Sequence, residues 1–473
     1  MGYQVRVLNT THVQPAQSVH PAHVNAGDHK LSFLDVIHTA VIPIQRLFFF
    51  DGPDLPPFPS VVGALRASLA ATLAVFLPLA GTLAFRPCSG DVVIDCSLDA
   101  VSSPGVEFVE AEFSGSSGDM RRLAGDAEHD AGTFARLVPE IDLRQLPARV
   151  LAVQVTRPAV SGDGDDAAVA VGVSVLHAAV DGQAVWQFMR AWAAAARQGG
   201  GAPGLLVTPT FDRAAVRHPN SEELSRSFLS CVAPALPLLR SPSPSSTVDI
   251  TRQSRRTFVL SEEQIRTLKR CIMAQSSSAA HGRAPTTYVA VSSLVWTSMV
   301  RARSLSRADE VHFMVTADCR RRLKPPLGEG FFGNCVKPCL ARARAGDLLR
   351  GGGRGLARAA AAIRRCIRES LEEPEDPLSD IAHCVAAYRA AAGAEERLLT
   401  VVGSSHRFRA YETTDFGWGA PSRVELVSMF TREMVALLGA RGGGVQVSVA
   451  LDRARMQAFV ENFIVPDSGS PLA

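Results

Sequence analysis

Hydrophobic residues recur along the chain with two periods. Val169, Val171, Val173 and Val175 alternate with Ala170, Gly172 and Ser174, the period of a strand with one bulky and one small face. Small groups on a strand face let other backbone approach closely. Leu151, Val153 and Val155 repeat the alternation upstream of the turn signal Ser161-Gly-Asp-Gly-Asp-Asp, so the two runs predict a hairpin. The period then lengthens. Val185, Phe188, Trp192 and Ala195 form a helical stripe, opened by Asp181 as N-cap and closed by Gly199-Gly-Gly. The same reading predicts an edge strand at 4–8, a loop feeding a long helix over 56–76, and a helix from the capping box Ser261-Glu-Glu-Gln264 to about Met273. It further predicts a buried helix at 288–300, a strand at 310–316 and a helix with a solvated face at 356–371. Strand signals at 424–438 and 444–451 and a closing helix at 453–463 complete the chain. Residues 69–85 are apolar, but the run is short of the ~20 residues of a membrane span and is broken by Pro78 and Gly81. A core-facing helix followed by a strand is expected there.

Composition narrows this picture. The 473 residues, 47% hydrophobic and 20% charged, exclude a disordered chain and predict two or three packed domains. A stretch rich in Pro, Ser and Gly at 206–250, ending in Ser241-Pro-Ser-Pro-Ser-Ser, reads as a crossover linker between domains at 1–205 and 251–473. The balance of 49 basic and 46 acidic side chains argues against a nucleic-acid partner and for a small molecule. Nine cysteines without paired spacing are expected to be free thiols in a reducing compartment. The first residues lack the apolar core of a signal peptide, so a cytoplasmic protein without membrane attachment is expected.

The strongest local signal for chemistry is His177-Ala-Ala-Val-Asp181-Gly182, at the junction of the valine strand and the capped helix. A histidine there has the pKa range of a general base. Equally, it fits a satisfied core histidine followed by an ordinary capping aspartate. Ser174 lies three residues upstream, but Gly172-Val-Ser174-Val-Leu176 lacks the second glycine of a nucleophile elbow. No metal-ligand pattern and no phosphate-binding loop is found, and Gly351-Gly-Gly-Arg-Gly355 reads as a flexible loop. A second unusual string is Asp415-Phe-Gly-Trp-Gly419. Read alone it is structural: a tight turn pinning a large ring, with Asp415 holding backbone N–H groups.

Together, His177-x-x-x-Asp181-Gly182 and Asp415-Phe-Gly-Trp-Gly419 resemble the signature of the BAHD acyltransferases, which move acyl groups from coenzyme A to hydroxyls or amines. Leu31-Ser-Phe-Leu-Asp35, Arg46-Leu-Phe-Phe-Phe-Asp-Gly-Pro, Asp318-Cys-Arg-Arg-Arg-Leu-Lys-Pro-Pro326, Phe331-Phe-Gly-Asn-Cys335 and Tyr411-Glu-Thr-Thr bring it closest to the branch of flavonoid, anthocyanin and phenolic glucoside malonyltransferases. The resemblance implies an α/β fold of two similarly sized mixed-sheet domains, like chloramphenicol acetyltransferase, joined by a long crossover with a solvent channel between them. It implies His177 as catalytic base, and Asp181 turned away from substrate and paired with Arg320. Gly182 would keep the turn open, and Asp415, Phe416, Gly417, Trp418 and Gly419 would shape the active site. Ser261, Arg266, Lys269, Arg283, Arg301, Asn334 and Trp418 are candidates for coenzyme A contacts.

An acyl-CoA, with malonyl-CoA first among donors, would be co-substrate to a phenolic or flavonoid glucoside. No permanently bound cofactor or metal and a monomeric state are expected. A malonyl donor carries a carboxylate and calls for a buried or half-buried arginine, for which Arg190 and Arg407 are candidates. Gln183 is not a cation, and Tyr411-Glu-Thr-Thr adds one residue to the branch's usual spacing before Asp415. These departures keep a hydroxycinnamoyl donor with a sugar or amine acceptor open. A degenerate, non-catalytic binding protein is the alternative of another class.

Overall fold

The computed structural model describes residues 2–16, 27–160, 167–201, 204, 207–239, 253–275, 284–393, 396–428 and 433–465. The expected turn at 161–166, the Ser/Pro run at 241–246 and Arg283 lie outside the described residues. The chain forms two compact units. The first comprises Met1–Thr247, Leu327–Cys335 and Ala410–Phe430, and the second Val248–Pro326, Val336–Arg409 and Thr431–Ala473.

The first unit holds a six-stranded mixed sheet. Its order is Val5–Val13, Val106–Ser116, Leu151–Val160, Ala168–Val175, Ile44–Asp51 and Arg423–Leu426. Only the pair Val106–Ser116 with Leu151–Val160 is parallel. The predicted hairpin is present, with Val155 opposite Val171 and Val153 opposite Val173. Val5–Val13 is the expected edge strand, paired on one side only. The other edge is a strand from far along the chain: Arg423–Leu426 pairs antiparallel with Ile44–Asp51. Chain order assigns Asp415–Gly419 to the second half, but this pairing places it in the first unit. A smaller sheet of Asp28–Lys30, Asp91–Asp95, Thr82–Arg86 and Ala148–Arg149 completes the unit's strands.

The apolar run at 69–85 resolves into the end of helix Phe58–Leu73, a 3-10 turn at Leu77–Leu79 and strand Thr82–Arg86. No helix among the described residues is long and apolar enough to cross a membrane. The stretch at 206–250 is not all linker. Helix Ser221–Val232 forms there because Leu224 and Phe228, one turn apart, are buried.

The small face of Ala168–Val175 does what its composition predicts. The backbone of residues 136–139 lies along it: Ser174 Oγ donates to the Pro139 carbonyl, and Gln154 Nε2 donates to the Arg136 carbonyl at 2.9 Å. A Cβ at Gly172 would lie 2.2 Å from the Leu137 oxygen and 2.8 Å from Val138 Cα. Gly172→Ala is therefore expected to destabilise the protein by about 1–3 kcal/mol, the usual cost of overpacking. Urea unfolding checks this, and a midpoint equal to wild type would contradict the packing argument.

The second unit repeats the theme. Its six strands run in the order Gln253–Leu260, Val445–Asp452, Met434–Gly439, Leu399–Ser404, Glu310–Asp318 and Val336–Arg344. The two central pairings, Met434–Gly439 with Leu399–Ser404 and Leu399–Ser404 with Glu310–Asp318, are parallel and the rest antiparallel. Helix Thr287–Ala302 is buried almost all round, with Trp296 against Phe313. Ser261 caps helix Glu262–Ala274 in the predicted capping box. The Ala/Arg helix spans Arg354–Ile367 and ends in a π turn at Arg368–Glu372. No disulfide joins any of the nine cysteines, all of which lie among the described residues.

Candidate active site

The strand Ala168–Val175 ends against a short loop of six residues, and helix Gly182–Arg197 follows it. His177 sits in that loop. Its carbonyl accepts from Val180 N at 3.3 Å, while the Ala179 N–H donates to the Leu176 carbonyl at 3.0 Å. Asp181 caps the helix: Oδ1 accepts from Ala184 N at 3.1 Å, and Oδ2 accepts from Cys335 N at 3.1 Å. The capping role predicted for Asp181 is thus present, and its second oxygen ties the loop to the segment Leu327–Cys335 of the same unit.

The rest of the loop hangs on a buried carboxylate that sequence reasoning did not assign. Asp35 is 0% exposed. Its Oδ2 accepts from Ser32 N and Oγ at 2.9 and 2.6 Å, closing a capping box at helix Phe33–Val36. Its Oδ1 accepts from Asn334 N and Nδ2 at 3.0 and 2.8 Å and lies 2.8 Å from Arg213 Nη1. Both partners then reach the loop: Asn334 Nδ2 donates to the His177 carbonyl and Arg213 Nη2 to the Ala179 carbonyl, each at 2.9 Å. One carboxylate therefore orients two donors that fix two loop carbonyls. The Ser-x-x-Asp spacing of Ser32 and Asp35 signals the cap; nothing local signals Arg213.

The His177 ring stacks on His38, with centroids 3.8 Å apart and planes 9° from parallel. Burial is the main influence on the His177 imidazole and pushes its pKa below the ordinary histidine value. Its own backbone and the Asp181 carboxylate pull the other way, and Arg46 adds to the depression. His38 is held well below the ordinary value, first by burial and then by repulsion from His177. A neutral imidazole is the form that accepts a proton. Ser174 is fully buried in mid-strand and bonded to Pro139, so it is no nucleophile.

The Asp415–Gly419 turn has the expected form. Asp415 Oδ1 accepts from Gly417 N and Gly419 N at 2.8 and 3.0 Å. Both glycines have positive φ, 111° and 96°, where a side chain is disfavoured. Phe416 is buried against Phe50 and Trp192, and Trp418 against Phe50. Arg197, in the last turn of helix Gly182–Arg197, donates to the Asp415 carbonyl. The Trp418 indole N–H is buried and has no hydrogen-bond partner among the described residues.

The other candidate residues have varied surroundings. Asn334 is fully buried with its amide N–H groups engaged by Asp35 and His177, so it braces the loop instead of reaching for coenzyme A. Arg190 and Arg407 are both exposed, which does not fit a buried carboxylate receptor. In the second unit, Ser261 is spent on its helix cap, Arg266 pairs with Glu263 at 2.6 Å and Lys269 donates to Thr287 at 3.0 Å. Arg301 is half-buried, and Arg320, 5% exposed, lies 3.3 Å from Asp318. No cluster of metal-ligating side chains occurs among the described residues.

Residues 3–465 match the Transferase family. The chain belongs to this family and is an acyl-CoA-dependent acyltransferase of the BAHD type. It is 30% identical over 475 residues to a malonyl-CoA:anthocyanidin 5-O-glucoside-6''-O-malonyltransferase of Arabidopsis thaliana, covering 98% of each chain. It is 27% identical to phenolic glucoside malonyltransferase 1 of the same plant, covering 98% of this chain and 97% of the relative. Its fold is similar to that of crystalline vinorine synthase, with a TM-score of 0.70 at 21% identity over 98% of this chain and 99% of that one.

Proposed function

We propose that the protein transfers a malonyl group from malonyl-CoA to a hydroxyl of a phenolic or flavonoid glucoside, with His177 as general base. The observation that carries the base assignment is the braced loop: a half-buried imidazole on a loop fixed at the carbonyls of residues 177 and 179 and at the Asp181 carboxylate. The donor and acceptor classes rest on likeness to relatives that bear these substrates in their names.

In this mechanism the His177 imidazole takes the proton of the acceptor hydroxyl as its oxygen attacks the thioester carbonyl. The carbon–oxygen bond forms, the oxyanion collapses, and the carbon–sulfur bond breaks. The imidazolium returns its proton to the departing thiolate. Both substrates are bound together and no acyl-enzyme forms. Coenzyme A phosphates require cations or backbone N–H groups, for which Arg301 and Lys269 are the candidates with partly buried side chains.

A hydroxycinnamoyl donor is the alternative. A panel of acyl-CoAs offered with flavonoid and simple phenolic glucosides, read by product mass, decides between them. Product from coumaroyl-CoA but none from malonyl-CoA would favour the alternative.

The depressed pKa of His177 sets a pH signature. The base loses function only when protonated, so the acid limb of kcat/KM should fall below pH 6.5, the ordinary histidine value. A limb above pH 6.5 in a steady-state profile contradicts a buried neutral base. Stability carries the same sign. His38 and His177 bind protons more readily when unfolded, so the folded state weakens as pH drops from about 6.5 towards their lower folded values.

A further inference from the structure

Arg46 lies in strand Ile44–Asp51, opposite Val173 on one side and Leu426 on the other. It is 6% exposed. Its Nη1 donates to the Gln45 carbonyl at 3.0 Å, while Nε is buried without a partner. Among the described residues no carboxylate pairs with it. Two arginines buried as deeply differ: Arg213 has Asp35 and Arg303 has Glu433. Burial with nothing to offset it lowers the Arg46 pKa to about 9, which leaves the guanidinium charged at neutral pH. A buried cation without an anion is costly and calls for an explanation.

Position supplies one. In an antiparallel pair, directly opposite residues project on the same face. Arg46 therefore shares a face with Val173 and Val175, the residues that lead into His177. The guanidinium carbon lies 6.0 Å from the ring of Trp186, on the helix that starts just after the His177 loop. Its charge is felt at the His177 imidazole. The cation thus stands close to the base, desolvated, and with donors to spare.

We infer that Arg46 is the receptor for the free carboxylate of a dicarboxylic acyl donor, and that it selects malonyl over neutral acyl groups. This rests on the malonyl-transfer reading of the site. In a malonyl thioester one methylene separates the free carboxylate from the reacting carbonyl. An arginine that clamps the carboxylate through two parallel N–H···O bonds thereby orients the carbonyl toward a neighbouring base. The guanidinium gains the anion it lacks only when such a donor is bound. Arg46 is a specificity and positioning residue and takes no proton.

The test compares malonyl-CoA and acetyl-CoA on a flavonol glucoside, using full-length wild type and Arg46→Met. Wild type is expected to favour malonyl-CoA. In Arg46→Met, KM for malonyl-CoA should rise well beyond any change for acetyl-CoA. The malonyl-to-acetyl ratio of kcat/KM should then fall by about 10–100-fold, the usual worth of hydrogen bonds to a charged group. The same variant should melt no lower than wild type, because it removes an uncompensated buried charge. Arg46→Gln serves as a second variant should methionine disturb folding, and the same loss of discrimination is expected of it. An unchanged ratio, or equal losses with both donors in a folded variant, overturns the assignment of Arg46 alone. A wild type that transfers coumaroyl but not malonyl overturns the donor reading, and the Arg46 receptor with it.

Discussion

His177→Ala is expected to lower turnover by about 10²–10⁴-fold, the contribution of a positioned general base, while the protein still folds. The two effects separate because the loop is fixed through backbone atoms. Asn334 holds the His177 carbonyl and Arg213 the Ala179 carbonyl, and neither bond involves the imidazole. The variant loses the stack on His38, a packing contact within the loop's surroundings. Single-turnover and steady-state rates with the productive acyl-CoA, beside circular dichroism and a melting curve, provide the check. Wild-type turnover in the folded variant would remove His177 from the mechanism.

Arg213→Met should cost about 3–5 kcal/mol of stability, because it leaves the buried Asp35 carboxylate without its cation. Methionine approximates the volume of the arginine stem but supplies no charge and no donor. Asp35 would keep its bonds from Ser32 and Asn334, yet an ionised group fully shielded from water needs more than dipoles. The Ala179 carbonyl also loses its donor, so the His177 loop loosens and turnover should fall with stability. Urea unfolding measures the first effect. The double variant Arg213→Met with Asp35→Asn removes both charges and should recover part of the loss. A single variant within about 0.5 kcal/mol of wild type, the range of ordinary surface changes, would mean that the pair does not brace the loop.

Sequence patterning reached what is local. The alternation at 169–175, the capping aspartate and the stripe from Val185 to Ala195 form one continuous signal, and all three are present. Strand Ile44–Asp51 escaped because Leu47, Phe48, Phe49 and Phe50 are buried on both faces, so no alternation marks it. Residues 327–335 and 410–430 went to the wrong half because their partners lie far away in the chain. Ser422 N donates to the Phe49 carbonyl at 2.7 Å across 373 positions, and no local propensity encodes such a pairing.

The candidate site divides in the same way. His177, Asp181 and the Asp415 turn announce themselves by motif. Asp35, Arg213 and Asn334 act only through bonds that join distant segments, 299 positions apart between Asp35 and Asn334. Arg46 left a faint trace, a lone cation at the head of the run Leu47-Phe-Phe-Phe50. Its burial depends on the strand that arrives from residue 423 to cover its edge.

That late strand bears on how the protein is made. As the chain leaves the ribosome, the first unit has most of its sheet by residue 175, but Ile44–Asp51 remains an open edge until residues 423–426 emerge. Asn334 and Cys335 likewise reach the His177 loop only after much of the second unit has been synthesised. Pairings of such high sequence separation form slowly and leave strand edges exposed meanwhile. A fragment ending after the first half would therefore hold the base in a loop without its bonds from Asn334 and Cys335, beside an open, phenylalanine-rich edge prone to self-association.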